Sequence, residues 1–193
     1  MVKLTGPNKI KTAVFISGNG SNLKSLIKFS KLEKSPISIN LIVSNKKKAG
    51  GLKFGKIFKI KSKSFSFKKK RLSEKKILLM LEKNKINLIC LAGFMEILSN
   101  YFIKNFNGKI LNIHPSLLPK FKGLNTHKRV LQNNEKYSGC TVHFVNSKLD
   151  SGKIILQKKV KIKMKDNHQS LAKRILVQEH KLYPKAILKV FSL

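Results

Sequence analysis

An amide and an imidazole, those of Asn112 and His114, stand two residues apart in the segment 112–119. Because side chains alternate between faces along an extended chain, both are expected to point to the same side of a strand. An amide can donate a hydrogen bond to a carbonyl oxygen, and histidine can exchange a proton near neutral pH. The pair therefore suits proton transfer at a carbonyl group, although a histidine by itself is most often structural.

A second candidate is the loop SGNGSN at 17–22, which follows an apolar run and precedes a helix-like run. Its glycines let backbone N–H groups turn outward, and the N-terminus of the helix adds positive potential. The loop therefore suits a phosphate, although it has neither the GxGxxG nor the Walker spacing. The alternative is a plain tight turn between a strand and a helix.

Two further segments carry weaker signals. The apolar loop 91–98 is either a turn of the core or the wall of a pocket that holds a flat aromatic ligand through its main chain. Asp150 lies in a turn at 149–152, where aspartate and glycine are ordinary turn residues. It becomes a catalytic candidate only if folding brings it near His114.

The other histidines and the cysteines show no metal-site spacing. His127 and His143 are expected to be structural, and a zinc site built from the histidines has no support in the spacing. Cys90 and Cys140 stand far apart in apolar contexts, which predicts buried thiols in a reducing compartment. We therefore expect no metal and no covalent intermediate on a cysteine or serine.

The elements that must position these loops alternate between strand-like and helix-like runs. Apolar, β-branched runs predict strands at 12–17, 37–43, 86–92, 110–113, 140–145 and 154–162, the last two nearer an edge. Helical spacing predicts helices at 22–29, 73–83 and 170–191, with Pro184 bending or splitting the last, and 52–66 is ambiguous, with a short helix and a short strand. The order predicts an α/β, Rossmann-like, doubly wound and mostly parallel sheet with flanking helices, whose sites lie beyond the carboxyl ends of the strands.

The length and apolar content predict one domain with its own core. The chain has 193 residues, of which 41% are hydrophobic, so we expect a single domain over 1–193 with a short polar extension at 1–9. No signal peptide is expected, and the longest apolar stretch, 86–95, is too short to span a bilayer. These features predict a cytoplasmic protein without a membrane partner.

The formal net charge of +34 raises the possibility of a nucleic-acid surface. The basic residues are nearly all lysines scattered along the chain, and the only arginines are Arg71, Arg129 and Arg174. Nucleic-acid surfaces usually use the bidentate contacts of arginine, so we expect a composition bias and no specific nucleic-acid partner. A positive surface would still gather small anionic substrates.

Taken together, the loops resemble the folate-dependent formyltransferases, and in particular the phosphoribosylglycinamide formyltransferase family of purine biosynthesis. The matching motifs occur in the family's order: GNGSN at 18–22, LAGFMEILS at 91–99, LNIHPSLLPKFKGLNTH at 111–127, VHFVNSKLDSG at 142–152 and QEHKLYP at 178–184. Methionyl-tRNA formyltransferase and formyltetrahydrofolate deformylase share the Asn-x-His and Asp pattern. Those relatives are expected to carry a further domain and are not expected to begin with GNGSN.

The resemblance implies direct transfer of the formyl group of 10-formyltetrahydrofolate to the amine of glycinamide ribonucleotide, without a metal. Asn112 would hold the formyl oxygen and contact the folate, His114 would donate the proton, and Asp150 would keep His114 protonated. The implied ribonucleotide residues are Gly20, Ser21 and Asn22 for the phosphate, together with Glu179. The implied folate residues are Met95, Glu96, Ile97 and Leu98, largely through the main chain, and Lys70, with Arg71 as the other alignment choice.

Several residues depart from the family pattern. Glu96 and Lys70 stand where the family commonly has arginine. Lys122 and Asn125 replace a common proline and histidine, and Lys148 replaces a common acidic residue. None of these changes touches Asn112, His114 or Asp150, so we expect them to alter substrate affinity more than chemistry. The sequence leaves open whether the protein is a monomer or a homodimer.

Overall fold

A computed structural model describes residues 9–191 and contains a seven-stranded sheet flanked by helices. The strands are β1 (Ile10–Ile16), β2 (Ile37–Ser44), β3 (Lys61–Ser64), β4 (Leu88–Leu91), β5 (Lys109–His114), β6 (Tyr137–Phe144) and β7 (Ile154–Lys161). The α-helices are α1 (Ser21–Ser30), α2 (Lys53–Ile57), α3 (Lys70–Lys83), α4 (Asn100–Asn105), α5 (Thr126–Gln132) and α6 (His168–Val190). Most of the extension predicted at 1–9 lies outside the described residues.

The strand order is β3-β2-β1-β4-β5-β6-β7. β1 pairs in parallel with β2 and β4, and β2 pairs in parallel with β3, whereas β6 and β7 are antiparallel. The predicted α/β, mostly parallel architecture is therefore confirmed. The described chain forms two compact units, residues 9–111 and 112–191, and the boundary falls within β5.

In the first unit, the central strands are apolar along nearly their whole length. Residues 13–16 of β1 and all four residues of β4 are buried, as expected for parallel strands that are covered on both faces. α1 buries Leu23, Leu26 and Ile27 at the spacing of one helical face. The ambiguous segment 52–66 contains both the short helix and the short strand that its sequence suggested, with α2 preceding the exposed strand β3.

A buried carboxylate joins α3 to the start of α4 in this unit. Glu74 is fully buried, and its carboxylate accepts hydrogen bonds from Ser99 N at 2.8 Å and from Ser99 Oγ at 2.5 Å. Ser99 Oγ also accepts from Phe102 N at 3.1 Å and so caps α4. The carboxyl end of the segment 92–99 is thus attached to α3.

In the second unit, the β6–β7 hairpin packs with α6. β7 lies at the edge of the sheet and carries exposed lysines, as predicted, whereas residues 138–143 of β6 are buried throughout. α6 begins at a capping box, in which Asn167 and Ser170 bond each other's backbone N–H. The helix continues through Pro184, so of the two predicted alternatives, bending or splitting, the split is wrong. Burial of Tyr183, Ala186 and Ile187 around the proline outweighs the lost hydrogen bond. No described helix has both the length and the apolar character of a membrane span.

Candidate active site

The carboxyl end of β5 brings Asn112 and His114 into one polar cluster. The cluster is centred on the carboxylate of Asp150, whose side chain is 7% exposed. Asp150 Oδ2 lies 3.3 Å from His114 Nδ1, and Asp150 Oδ1 accepts from Asn112 Nδ2 at 3.5 Å. The structure therefore meets the condition under which Asp150 is a catalytic candidate.

The backbone around Asp150 holds its carboxylate in place. Asp150 has a φ of 46°, a left-handed conformation that aspartate tolerates better than most residues. Its Oδ2 atom accepts a further hydrogen bond from Gly123 N at 2.9 Å. Lys122 Nζ, adjacent to Gly123, donates to Ser151 Oγ at 2.9 Å. The lysine that replaces the common proline thus ties together the two loops that flank the carboxylate.

His143, on β6, is a fourth member of the cluster, although its sequence context predicted a structural role. Its Nδ1 atom lies 2.8 Å from Phe144 O, and a carbonyl can only accept, so Nδ1 carries a proton. Nε2 then accepts from Asn112 Nδ2 at 3.2 Å and lies 3.7 Å from Asp150 Oδ1. His143 therefore sets the orientation of the Asn112 amide. The sequence carries no signal for this contact, which arises because β5 and β6 are neighbours in the sheet.

Both ring nitrogens of His114 face hydrogen-bond acceptors. Nε2 lies 2.9 Å from Phe121 O, and Nδ1 faces Asp150. A cationic ring satisfies both acceptors, whereas a neutral ring satisfies only one. Burial nevertheless lowers the pKa of His114 below its ordinary value, although the bond to Phe121 and the charge of Asp150 raise it. Asp150 thus acts in the predicted direction, and desolvation outweighs it.

Asp150 itself remains ionised at neutral pH. Burial raises the pKa of its carboxyl, but the nearby His143 ring, the hydrogen bond from Gly123 N and the charge of His114 together lower it by more, so that the net pKa falls below the ordinary value. The cluster therefore pairs a permanent anion with a histidine that can take up a proton. Such an arrangement can stabilise a developing oxyanion and supply a proton to it.

The loop that supplies the Phe121 carbonyl is anchored to the hairpin. Thr141 Oγ1 donates to Ser116 O at 2.6 Å, and it accepts from Leu118 N at 3.1 Å and from Gln157 Nε2 at 2.9 Å. Thr141 is fully buried. These bonds fix the path of residues 116–118 and hence the position of the carbonyl that faces His114.

The loop at 17–22 leads into α1 within the first unit through a glycine in a left-handed conformation. Gly20 precedes α1 with a φ of 71°, and a Cβ there would lie 2.9 Å from Gly51 Cα, so only glycine fits. No side chain caps this helix end. The first N–H groups of α1, from Ser21 and Asn22 onward, begin directly after this glycine.

The implied folate residues of the loop 91–98 also lie in the first unit. Met95 and Ile97 are each 58% exposed, whereas Leu98 is buried and Glu96 is half-buried. Lys70 begins α3. The neighbouring Arg71 stacks its guanidinium 3.3 Å from the centre of the Tyr101 ring.

Glu179 and Cys140 lie in the second unit, away from solvent. Glu179 is on α6 and is buried, and Cys140 is buried on β6. Burial first, and the charge of Glu179 second, raise the pKa of the Cys140 thiol to about 12. A thiol with that pKa is not a nucleophile at neutral pH. The prediction of buried cysteines is confirmed for Cys140 and for Cys90.

Other departures from the family pattern are accommodated locally. Asn125 precedes α5 with a φ of 56°, a conformation in which asparagine is favoured among residues with a Cβ. Lys148 donates its backbone N–H to Asn146 Oδ1 at 3.0 Å. Across residues 9–191, no group of three or more His, Cys, Asp or Glu side chains is arranged to hold a metal ion.

Comparison with known proteins agrees with the family that the loop motifs indicated and with the fold. The model of the formyl transferase family matches residues 10–187, and the chain therefore belongs to that family. It is 38% identical over 177 residues to the phosphoribosylglycinamide formyltransferase of Escherichia coli (strain K12), covering 90% of this chain and 84% of that enzyme. The crystal structure of phosphoribosylglycinamide formyltransferase from Brucella melitensis is 42% identical, with a TM-score of 0.89 and 95% of each chain covered. The predicted family resemblance is confirmed.

Larger relatives contain the same region as one part of a longer protein. The human trifunctional purine biosynthetic protein adenosine-3 is 43% identical over 187 residues, which are 95% of this chain but 18% of that protein. The chain spans 19% of the Gallus gallus protein and 14% of the Drosophila melanogaster protein of the same name, so it corresponds to less than a fifth of their length.

Proposed function

We propose that this chain transfers the formyl group of 10-formyltetrahydrofolate to the amine of N1-(5-phosphoribosyl)glycinamide, a step of de novo purine biosynthesis. The observation that carries the proposal is the convergence of Asn112 and His114 on Asp150 in a member of the formyl transferase family. Relatives that match most of the chain are named for this reaction.

The reaction proceeds by direct attack of the glycinamide amine on the formyl carbon. A tetrahedral oxyanion forms, and the Asn112 amide and the cationic His114 stabilise it. The contact of Asn112 Nδ2 with Asp150 Oδ1, at 3.5 Å, is at the outer limit of a hydrogen bond. That N–H can therefore turn to the formyl oxygen with little loss.

His114 keeps Nδ1 on Asp150 while Nε2 exchanges the Phe121 carbonyl for the substrate oxygen. When the intermediate collapses, the bond from the formyl carbon to the folate nitrogen breaks. That nitrogen gains a proton, and the new amide nitrogen loses one, so the transfer is balanced without a covalent enzyme intermediate.

One set of residues is assigned to the ribonucleotide and another to the folate. Gly20, Ser21 and Asn22 hold the phosphate, supported by the uncapped start of α1, and Glu179 contacts the ribonucleotide. Lys70 and Asn112 hold the folate together with the segment Met95, Glu96, Ile97 and Leu98, which acts largely through its main chain, and no metal takes part. The family match over 10–187 supports a single formyltransferase domain. We propose a cytoplasmic location for it.

The dependence of folate consumption on the acceptor tests this function. With saturating 10-formyltetrahydrofolate, we expect no turnover without an acceptor and rapid turnover with the ribonucleotide. The dephosphorylated nucleoside is expected to raise KM by roughly 100-fold or more, because it lacks the charged group that the N-terminus of α1 would bind. Consumption that is independent of the acceptor would instead identify a folate hydrolase.

Replacing His143 tests its role in orienting Asn112. We expect His143→Phe to lower kcat by roughly 5- to 100-fold, because the Asn112 amide loses its acceptor while a buried ring is kept. His143→Gln, whose side-chain oxygen can accept from Asn112, is expected to recover part of the loss. Steady-state kinetics with both substrates measures this, and equal kcat values for His143→Phe and the wild type would rule out the orienting role.

A further inference from the structure

Three polar side chains in the first unit form a closed hydrogen-bonded ring. Ser17, after β1, donates from Oγ to Asn45 Oδ1 at 2.6 Å and accepts from Met95 N at 2.8 Å. Asn45, after β2, donates from Nδ2 to Glu96 Oε1 at 2.9 Å. Because Met95 and Glu96 are consecutive, the ring joins the ends of β1 and β2 to the backbone of the loop 91–98.

Further hydrogen bonds hold the backbone on either side of this ring in place. Ser44 accepts from Lys46 N at 3.1 Å and donates to Lys46 O at 3.0 Å, which pins the turn that carries Asn45. Ser17 is buried, and its N–H donates to Gly93 O at 3.1 Å. At the far end of the loop, Ser99 is attached to Glu74. The exposed apolar side chains of Met95 and Ile97 therefore project from a backbone that is held at both ends.

Glu96 enters this ring as an acceptor only. Asn45 Oδ1 already accepts from Ser17, so the remaining hydrogen-bonding group of the Asn45 side chain is the Nδ2 donor, and Glu96 supplies the acceptor that it needs. A neutral amide oxygen at the same place would serve equally well. The contact thus uses the oxygen of Glu96 and not its negative charge.

We propose that Glu96 is a positioning residue that acts through Asn45 to fix the main chain of residues 94–98 for folate binding. This inference rests on the proposed function, in which that main chain contacts the folate. It makes Asn45, which no sequence motif had singled out, and Ser17, which begins the loop 17–22, determinants of folate affinity. It also assigns the glutamate that replaces the common arginine a role that does not require contact with the ligand.

The test is the dissociation constant of tetrahydrofolate, measured by titration calorimetry on the full chain, together with kcat. We expect Glu96→Ala to weaken binding by roughly 5- to 15-fold, the effect of one lost hydrogen bond. Asn45→Ala, which also removes the bond from Ser17, is expected to weaken binding at least as much, and kcat is expected to change by less than about twofold in both variants. Glu96→Gln, which retains the acceptor, is expected to bind within about twofold of the wild type. Glu82→Ala, at an exposed position of α3, controls for the change in net charge.

The double variant Glu96→Ala/Asn45→Ala is expected to bind as Asn45→Ala does, because that replacement already removes the bond to Glu96. Equal weakening in Glu96→Gln and Glu96→Ala would show that the charge matters and would overturn the proposal, as would additive effects in the double variant. Because binding is measured without turnover, a wild type that binds tetrahydrofolate but transfers no formyl group would refute the proposed function and leave this test intact. A wild type that binds no tetrahydrofolate would refute both.

Discussion

Replacement of His114 with alanine is expected to lower kcat by roughly 10²- to 10⁴-fold, the contribution of a positioned acid that also stabilises an oxyanion. His114 is buried, and its ring nitrogens face Asp150 and the Phe121 carbonyl, so alanine leaves no proton donor at this position. The ribonucleotide KM is expected to change little, because the proposed phosphate contacts lie at 20–22. Steady-state kinetics with both substrates measures the effect.

His168→Ala provides the matched control for this variant. His168 is an exposed histidine at the first position of α6, in the same unit as His114. Its replacement is expected to leave kcat within about twofold of the wild-type value, as is usual for a surface position without a specific partner. A His114→Ala variant with near-wild-type turnover would refute the catalytic role of the imidazole.

Replacement of Asp150 with asparagine is expected to lower kcat by roughly 10²- to 10³-fold through loss of the charge that opposes cationic His114. The change preserves the shape of the side chain, and asparagine also tolerates the φ of 46°. The amide oxygen can still accept from Gly123 N, which lies 2.9 Å from Asp150 Oδ2. The loss therefore reports on charge more than on folding.

The pH dependence of this variant has a defined sign. Burial lowers the pKa of His114, and the charge of Asp150 raises it in part. If the cationic ring is the acid, kcat/KM falls as pH rises through the pKa of His114. Removal of the Asp150 charge lowers that pKa further, so the basic limb of the profile should move to lower pH. Measurement between about pH 5 and pH 9 tests this, and an unmoved limb would argue against the pairing.

The strands and the main helices of the first unit were predictable because their signal is local. β1, β2 and β4 are short apolar runs buried on both faces, and α1 carries its apolar residues at helical spacing. By contrast, α4 and α5 have six and seven residues and show no such pattern. α4 is held by its Ser99 cap and by Glu74, contacts that only the folded chain provides.

The candidate site was predictable only in part. Asn112 and His114 share one strand, and their spacing brings them together. Asp150 and His143 are distant in sequence and reach the cluster through the fold, so spacing could not place them. The opposing effects on the pKa of His114 could not be predicted from the sequence either, because both the burial of the ring and the position of the Phe121 carbonyl arise from tertiary packing.

The central claim is that the formyl group passes directly to the ribonucleotide amine. Identification of the product during turnover with 10-formyltetrahydrofolate labelled in its formyl carbon tests it most directly. We expect the label in N-formylated glycinamide ribonucleotide, mole for mole with the tetrahydrofolate formed. Release of the label as formate in the presence of saturating ribonucleotide would contradict the proposed function.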